Sequence, residues 1–485
     1  MSRTFDPRDY GAAGDGVRLD TDSINTAILA AAAAGGGTVL LSRGRFLSFS
    51  IRLRSHVTLI IDEGAVLEAA DPAFHAGRYD PPEDRTGELY QDFGHSHWHN
   101  SLIWGDGVDN VAIIGRGMID GKGLTRDGPG ARWRKDVGER PLSMSGMRPE
   151  EIAHLEPDES SMAGRGNKAI ALKNSRAVTL RDLTIRKGGH MAVLATGVED
   201  LLIDRLRIDT DRDGIDLDCV RRVRVTDCRV NSPNDDAIVL KSSYALGRPC
   251  STEDVVISGC TVSGYDFGTM LDGRCGREQQ LAPDRDRVTG RIKLGTESNG
   301  DFRRIRVDNC RFERCRGLAI ETVDGGSIED VSARGIMMEE VTTAPLFLRL
   351  GDRGRGPEPT KAGVIRGVII ENVEAHGIDH RFAATLAGLP DHPIEDVTLR
   401  RIRLVYDGGG TAEDSTRQPP ELSHAYPEPS MFGPTPGWGL WVRHARGLML
   451  DEVTLETLAP DARPPMRLDD VAGLTVRSVS AGQRG

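Results

Sequence analysis

Short stretches of alternating apolar and polar residues recur along most of the chain. Asn110-Val111-Ala112-Ile113-Ile114, Ala177-Val178-Thr179-Leu180, Asp200-Leu201-Leu202-Ile203, Arg222-Val223-Arg224-Val225, Asp254-Val255-Val256-Ile257 and Arg304-Ile305-Arg306-Val307 are of one type. Gly367-Val368-Ile369-Ile370, Asp396-Val397-Thr398-Leu399, Gly447-Leu448-Met449-Leu450 and Gly473-Leu474-Thr475-Val476 continue it. Each is short, alternates and favours Val and Ile, as a half-buried strand does. Most lead after a few polar residues to a second piece such as Leu183-Thr184-Ile185 or Leu206-Arg207-Ile208. Where no loop intervenes the spacing is near 22 residues, as from Val178 to Leu201 to Val223. Strands this short cannot each bury a face alone, whereas stacking them at a fixed period buries them all. With no helix-length pattern between them, the chain is expected to be all-β, a right-handed parallel β-helix. It reads as one domain over 1–485: a cap and first coils to 70, long loops and early coils over 71–165, central coils over 166–350, and C-terminal coils with bordering loops over 351–485.

A solenoid needs its ends covered. Thr21 to Ala34 is the one clear helical pattern and is assigned to the N-terminal cap. Asp20, Thr21, Asp22 and Ser23 offer N-cap side chains, Ile24, Ile28 and Leu29 are read as one face, and Gly35 stops it. Cys228, Cys260 and Cys310 end the matching pieces Val-Thr-Asp-Cys, Ile-Ser-Gly-Cys and Val-Asp-Asn-Cys, which predicts an inward ladder of small apolar side chains. Polar, Gly/Pro-rich interruptions at about 71–100, 121–165, 273–290, 351–362 and 406–438 are expected as loops bordering a site.

Composition narrows the function. Sixty-two basic against 73 acidic side chains leave a formal charge of −11, which gives no general field for nucleic acid. No apolar run approaches the roughly 20 residues of a membrane span. Glycine is abundant (57 residues) and aromatics are scarce (5%), which suits many tight turns around an aliphatic core. The seven cysteines lack a CxxC pair, so small buried thiols and a reducing compartment are expected rather than disulfides or zinc. Met1-Ser2-Arg3-Thr4-Phe5 carries no signal peptide pattern; the expectation is a protein that stays inside or one whose leader has been removed.

The densest acidic stretch is Asp211-Arg212-Asp213-Gly214-Ile215-Asp216-Leu217-Asp218, followed by Asn234-Asp235-Asp236. Asp213 and Asp235 are one coil apart, which places them roughly 4.8 Å apart on stacked strands. Asp213, Asp235 and Asp236 are therefore expected to cluster, and carboxylates so close cannot all ionise freely. One carboxyl kept neutral beside one kept ionised suits glycosidic cleavage. Turn-forming aspartates and a calcium site are the competing readings. Lys241 follows the Asp pair, and Arg291 and Lys293 alternate onto one face. With Arg274, Arg349, Arg353 and Arg355 they offer cations for the acids or for an anionic substrate.

These residues resemble glycoside hydrolase family 28, the polygalacturonases and their relatives. The opening Asp9-Tyr10-Gly11-Ala12-Ala13-Gly14-Asp15-Gly16 and the later Gly35-Gly36-Gly37-Thr38-Val39 look like the start of pectin-active β-helices. Asp211-Arg212-Asp213 stands where the family carries Asn-Thr-Asp, Asn234-Asp235-Asp236 at its Asp-Asp pair, and Arg291-Ile292-Lys293 matches its Arg-Ile-Lys in full. The resemblance implies Asp235 as general acid, Asp213 and Asp236 deprotonating water, Arg291 and Lys293 binding a substrate carboxylate, and inversion without a metal. Two departures point to a bacterial side branch. Arg212 replaces the threonine, and Gly264-Tyr265-Asp266-Phe267-Gly268 replaces Gly-His-Gly, leaving Asp266, Asp272 or His190 as substitutes for its histidine.

The reading is a hydrolase of galacturonate-containing pectic chains, exo-acting because long loops block the groove. Asp213, Asp235 and Asp236 are its catalytic residues, and Arg291, Lys293, Lys241, His190, Asp266, Asp272 and Arg349 bind substrate. No cofactor, metal, nucleic acid or membrane is expected. A rhamnogalacturonan hydrolase, a lyase or epimerase, and a glycan-binding β-helix are the rivals. Gly295 to Gly300 and Glu321 to Asp324 flank the groove, and Tyr426 to Phe432 with Trp438, Trp441, Arg443 and His444 gather aromatics that would wall it. His95, His97 and His99 alternate on a possible strand and are weighed against a metal site.

Overall fold

The computed structural model describes residues 3–84, 90–128, 144–148, 150–151, 159–357 and 361–483. Successive coils pair in parallel and in register, giving an all-β parallel β-helix. The expected spacing is visible as one ladder: Val111, Val178, Leu201, Val223, Val255, Ile305, Val331, Val368 and Val397 are each paired with the next. None is more than 2% exposed. Alternation puts these side chains inward and their polar neighbours outward, so stacking converts many weak strands into one continuous core.

A second face carries the chemistry. Its strands are β1 (Met191–Thr196), β2 (Asp213–Asp218), β3 (Ile238–Ser242), β4 (Ile292–Ser298) and β5 (Leu318–Thr322). Val193, Ile215, Ile238 and Ile292 stack inward. Asp216, Val239, Lys293 and Ala319 stack outward in the same register. Polar side chains from neighbouring coils are thus forced side by side.

The cap helix α1 spans Thr21–Ala33, with Gly35 at a φ of 85° just beyond it. Two details differ from expectation. Asp20 makes no side-chain cap bond; its carboxylate instead accepts from Ala13 N (2.6 Å) and Gly14 N (3.1 Å), tying the preceding loop to the helix. Leu29 is exposed while Ile24 and Ile28 are buried, because a residue five positions from Ile24 has rotated off the buried stripe. Cys228, Cys260 and Cys310 are buried in the core as predicted, flanked by the register Arg229, Thr261, Arg311. All seven cysteines are free, and Cys250 and Cys275 are only partly buried. Among the described residues no helix is long and apolar enough to cross a membrane.

Ile238 sits in the inward stack with no exposed surface, so Ile238→Ala is expected to cost about 2–5 kcal/mol. Leu29→Ala on the exposed side of α1 is expected to change stability by no more than about 0.5 kcal/mol. Urea unfolding of the two variants checks the contrast.

Candidate active site

All five interruptions contribute to one cavity of about 210 Å³ over the face of β2, β3 and β4. Asp92 and His95 come from 71–100, Arg126 and Asp127 from 121–165, Asp284 and Thr289 from 273–290, Arg355 from 351–362, and Tyr426 and Glu428 from 406–438. Asp213, Asp235, Asp236, Lys241, Arg291 and Lys293 also line it. Much of 121–165 lies outside the described residues.

Asp213 opens β2, and Asp235-Asp236 form the turn before β3. Gly214 N donates to Asp236 O (3.0 Å), so the stacked backbones fix the acids relative to each other. One carboxylate oxygen from each of Asp213, Asp235 and Asp236 lies within 4.8 Å of the other two. The cluster expected from coil spacing forms.

The three acids have unequal partners. Asp235 Oδ2 accepts from Arg212 Nε (3.1 Å) and Nη2 (2.8 Å). Asp236 Oδ1 accepts from Arg291 Nε (2.7 Å), with Lys293 Nζ at 3.8 Å from its other oxygen. Asp213 has no such partner: among the described residues the nearest cationic nitrogen is His95 Nε2 at 3.8 Å. Burial, and then the charge on Asp235, push the Asp213 carboxyl well above the usual carboxylate range. Burial would raise Asp235 too, but the Arg212 guanidinium outweighs it and holds that carboxyl well below the range. The proton preference is thus opposite to the one the family resemblance implied. The physical reason is Arg212, which stands where that resemblance expects a threonine.

Beside the acids lies a buried polar chain in which sequence reasoning places Lys241 in the site but misses Asp92, His95 and Asp216. Asp92 N-caps a single turn, Phe93–Ser96, which turns His95 inward. His95 Nδ1 meets Asp92, while its Nε2 meets Asp216 Oδ2 (2.8 Å) and Lys241. Gly94 lets this turn pack against His190: a Cβ there would lie 2.5 Å from His190 Cδ2. Burial disfavours a charged imidazole, but Asp92 and then Asp216 outweigh it, so His95 stays protonated up to about 10. Lys241 Nζ also pairs with Asp216 (3.1 Å) and Glu297 (3.4 Å). The histidines do not alternate on a strand, because the Asp92 cap makes a turn there. His97 stacks on Phe93, and His99 lies 3.4–3.5 Å from Asp106 and Glu83.

The remaining predicted residues divide. His190 lies one layer behind the cavity, its Nδ1 at 3.0 Å from Arg212 Nη1 and 2.9 Å from the Arg126 carbonyl. Burial, then Arg212, lower it to about 4, so it is neutral. Asp266, Asp272 and Arg349 are not brought to the cavity. Asp266 accepts from Glu278 N and Gln279 N (both 2.8 Å) and closes its own loop. Asp272 pairs with Arg274 at the surface. Arg349 spends its guanidinium on the carbonyls of Ala387, Gly388, Glu421 and Leu422. Arg353 is likewise committed to Asp324. As for metals, one oxygen of Asp235 (Oδ2) and one of Asp236 (Oδ1) are already held by guanidinium groups.

No established protein-family profile matches the chain. A "probable polygalacturonase" of Vitis vinifera is 24% identical over 432 residues, covering 82% of this chain and 73% of that protein. Among solved structures, the chain is similar to a hyperthermoactive exopolygalacturonase from Thermotoga maritima (TM-score 0.59, 20% identity, 84% of this chain and 88% of that one). It is similar as well to a family 28 exopolygalacturonase of Yersinia enterocolitica (TM-score 0.59, 15% identity, 99% and 79%). A tailspike of E. coli bacteriophage HK620, solved with a pentasaccharide, has a TM-score of 0.54 at 12% identity, over 99% and 78%. At these identities the structural likenesses speak for the fold.

Two measurements check the electrostatics. Arg212→Ala should raise the Asp235 pKa by about 1–3 pH units, read by carboxyl-carbon NMR. His95 has a folded pKa of about 10, above its unfolded value of about 6.5. Its contribution to stability is therefore complete below the unfolded value and is lost as pH rises through the folded one. Between those values the wild type should lose stability more steeply than His95→Gln in urea unfolding.

Proposed function

We propose that this cavity is the active site of a glycoside hydrolase that cuts galacturonate-containing pectic chains, with no cofactor. The unequal pairing of three clustered acids carries the reading. Asp235 and Asp236 each hold a guanidinium, which suits Asp235 to stay ionised, whereas Asp213 is buried with, among the described residues, no guanidinium and only the His95 ring at 3.8 Å, and is suited to carry a proton. Asp213 then protonates the leaving oxygen, and Asp235, with Asp236, deprotonates the attacking water. This exchanges the roles that the motif resemblance alone implied for Asp213 and Asp235. The enclosing loops support attack at a chain end rather than along an open groove. The similarity to the Vitis vinifera polygalacturonase supports the substrate class. Rhamnogalacturonan is the second substrate reading, favoured by the fact that Arg291, Lys293 and Lys241 each already have a carboxylate partner.

Asp213→Asn and Asp235→Asn should each lower reducing-end release from pectic oligosaccharides by about 10²- to 10⁴-fold without loss of fold. A nitrophenyl galacturonide, whose leaving group needs no acid, separates the roles. Asp213→Asn should retain turnover on it and Asp235→Asn should not; the reverse would return the acid to Asp235. Release should persist in EDTA without an ultraviolet-absorbing product; loss in EDTA with such a product would make the enzyme a lyase. The family resemblance implies an inverted anomer in proton NMR of the first product, although carboxylate oxygens within 4.8 Å are closer than the roughly 6.5–9.5 Å usual for inversion; a retained anomer would mean a covalent intermediate.

A further inference from the structure

The cavity's most buried cation is already occupied by a carboxylate of the chain itself. Arg291 donates through Nη1 to Glu428 Oε2 (3.1 Å) and through Nη2 to Glu428 Oε1 (2.8 Å), a two-pronged pairing, while its Nε serves Asp236. Arg316 Nη1 closes on Glu428 Oε2 at 3.0 Å, and its Nη2 pairs with Asp284. This is the geometry with which a guanidinium takes a ligand's carboxylate.

Glu428 is not placed there by a swinging tail. It precedes the turn Pro429–Phe432, and Met431 N donates to Glu428 O (2.9 Å). Met431 and Phe432 are buried in a satellite core with Phe347, Phe382 and Trp441. Apolar packing therefore anchors the carboxylate on Arg291.

We propose that Glu428 is a specificity-determining residue that fills the carboxylate position beside Arg291, so that the sugar unit bound there is uncharged: a neutral sugar or an esterified uronate. A free uronate at that place would put a third carboxylate against Glu428 and Asp236, and like charges brought together without solvent discriminate strongly. The inference rests on the carbohydrate reading of the cavity and deepens it.

Calorimetric binding of galacturonate and of its methyl ester at neutral pH tests it without requiring turnover. Wild type should bind the ester at least about tenfold more tightly than the acid. Glu428→Gln, which keeps shape and packing, should abolish or invert that preference. Preference for the acid in wild type, an unchanged ratio in Glu428→Gln, or binding of neither sugar would overturn the proposal. Sugar release from pectic oligosaccharides is scored separately. An intact ester preference with no release would sink the hydrolase and leave the role of Glu428 standing; release with a preference for the acid would do the opposite.

Discussion

The parallel register between successive coils is the constraint on which everything else rests. Ile215, Ile238 and Ile292 stack inward with no exposed surface, and a one-residue slip would turn each of them outward. Fixing the inward stack also fixes its polar complement. The acids at the start of β2 and before β3 are held close because the backbones beneath them are hydrogen-bonded neighbours. Two unit charges about 4 Å apart repel by about 4 kcal/mol at an effective dielectric constant of 20. Such a cluster persists only when counter-charges or protons are built in around it.

The cavity uses both solutions. Arg212 and Arg291 each hold one acid, and burial with the charge on Asp235 favours the neutral form of the third, Asp213. Around them the same rule repeats: Lys293 has Glu321, Lys241 has Asp216 and Glu297, and Arg316 has Asp284 and Glu428. The result is a mesh of paired charges rather than a basic wall. Removing one partner of a buried pair typically costs about 3–5 kcal/mol, because the other is left uncompensated. The pairing therefore stiffens the walls, and any ligand that brings its own charge has to compete with the chain's carboxylates.

What could be read from the sequence followed the periodicity. The step from Val178 to Leu201 to Val223 announced the register, and the same step applied to Asp213 and Asp235 announced the acid cluster. The five loops announced themselves by breaking the pattern, and each reaches the cavity. Periodicity is silent about what a loop delivers. His95 meets Asp216, and Glu428 meets Arg291, across 121 and 137 residues, with no repeat linking them. Asp266, Asp272 and Arg349 drew attention as charges near the right coils, yet each is satisfied locally, by backbone amides, a neighbouring arginine or backbone carbonyls. A charge count cannot distinguish a group turned into a cavity from one closing a turn.

Arg212 shows how little has to change for a scaffold of this kind to redistribute protons. Asp213 and Asp235 sit on adjacent coils, the first enclosed (side chain 4% exposed) and the second partly open (28%), and position in the motif alone makes neither of them the acid. Their partners decide. A neutral residue at 212 would leave the two carboxyls close together without that counter-charge, with the proton shared or assigned by weaker neighbours and by the deeper burial of Asp213. A guanidinium there, donating twice to Asp235, favours its ionised form, and that charge in turn favours a neutral Asp213. Such a change of partner needs no shift of register and no new strand. On a stacked-coil scaffold, acid and base are therefore properties of the side chains beside each carboxylate rather than of its position in the motif, and roles carried over by motif alignment alone depend on those neighbours being the same.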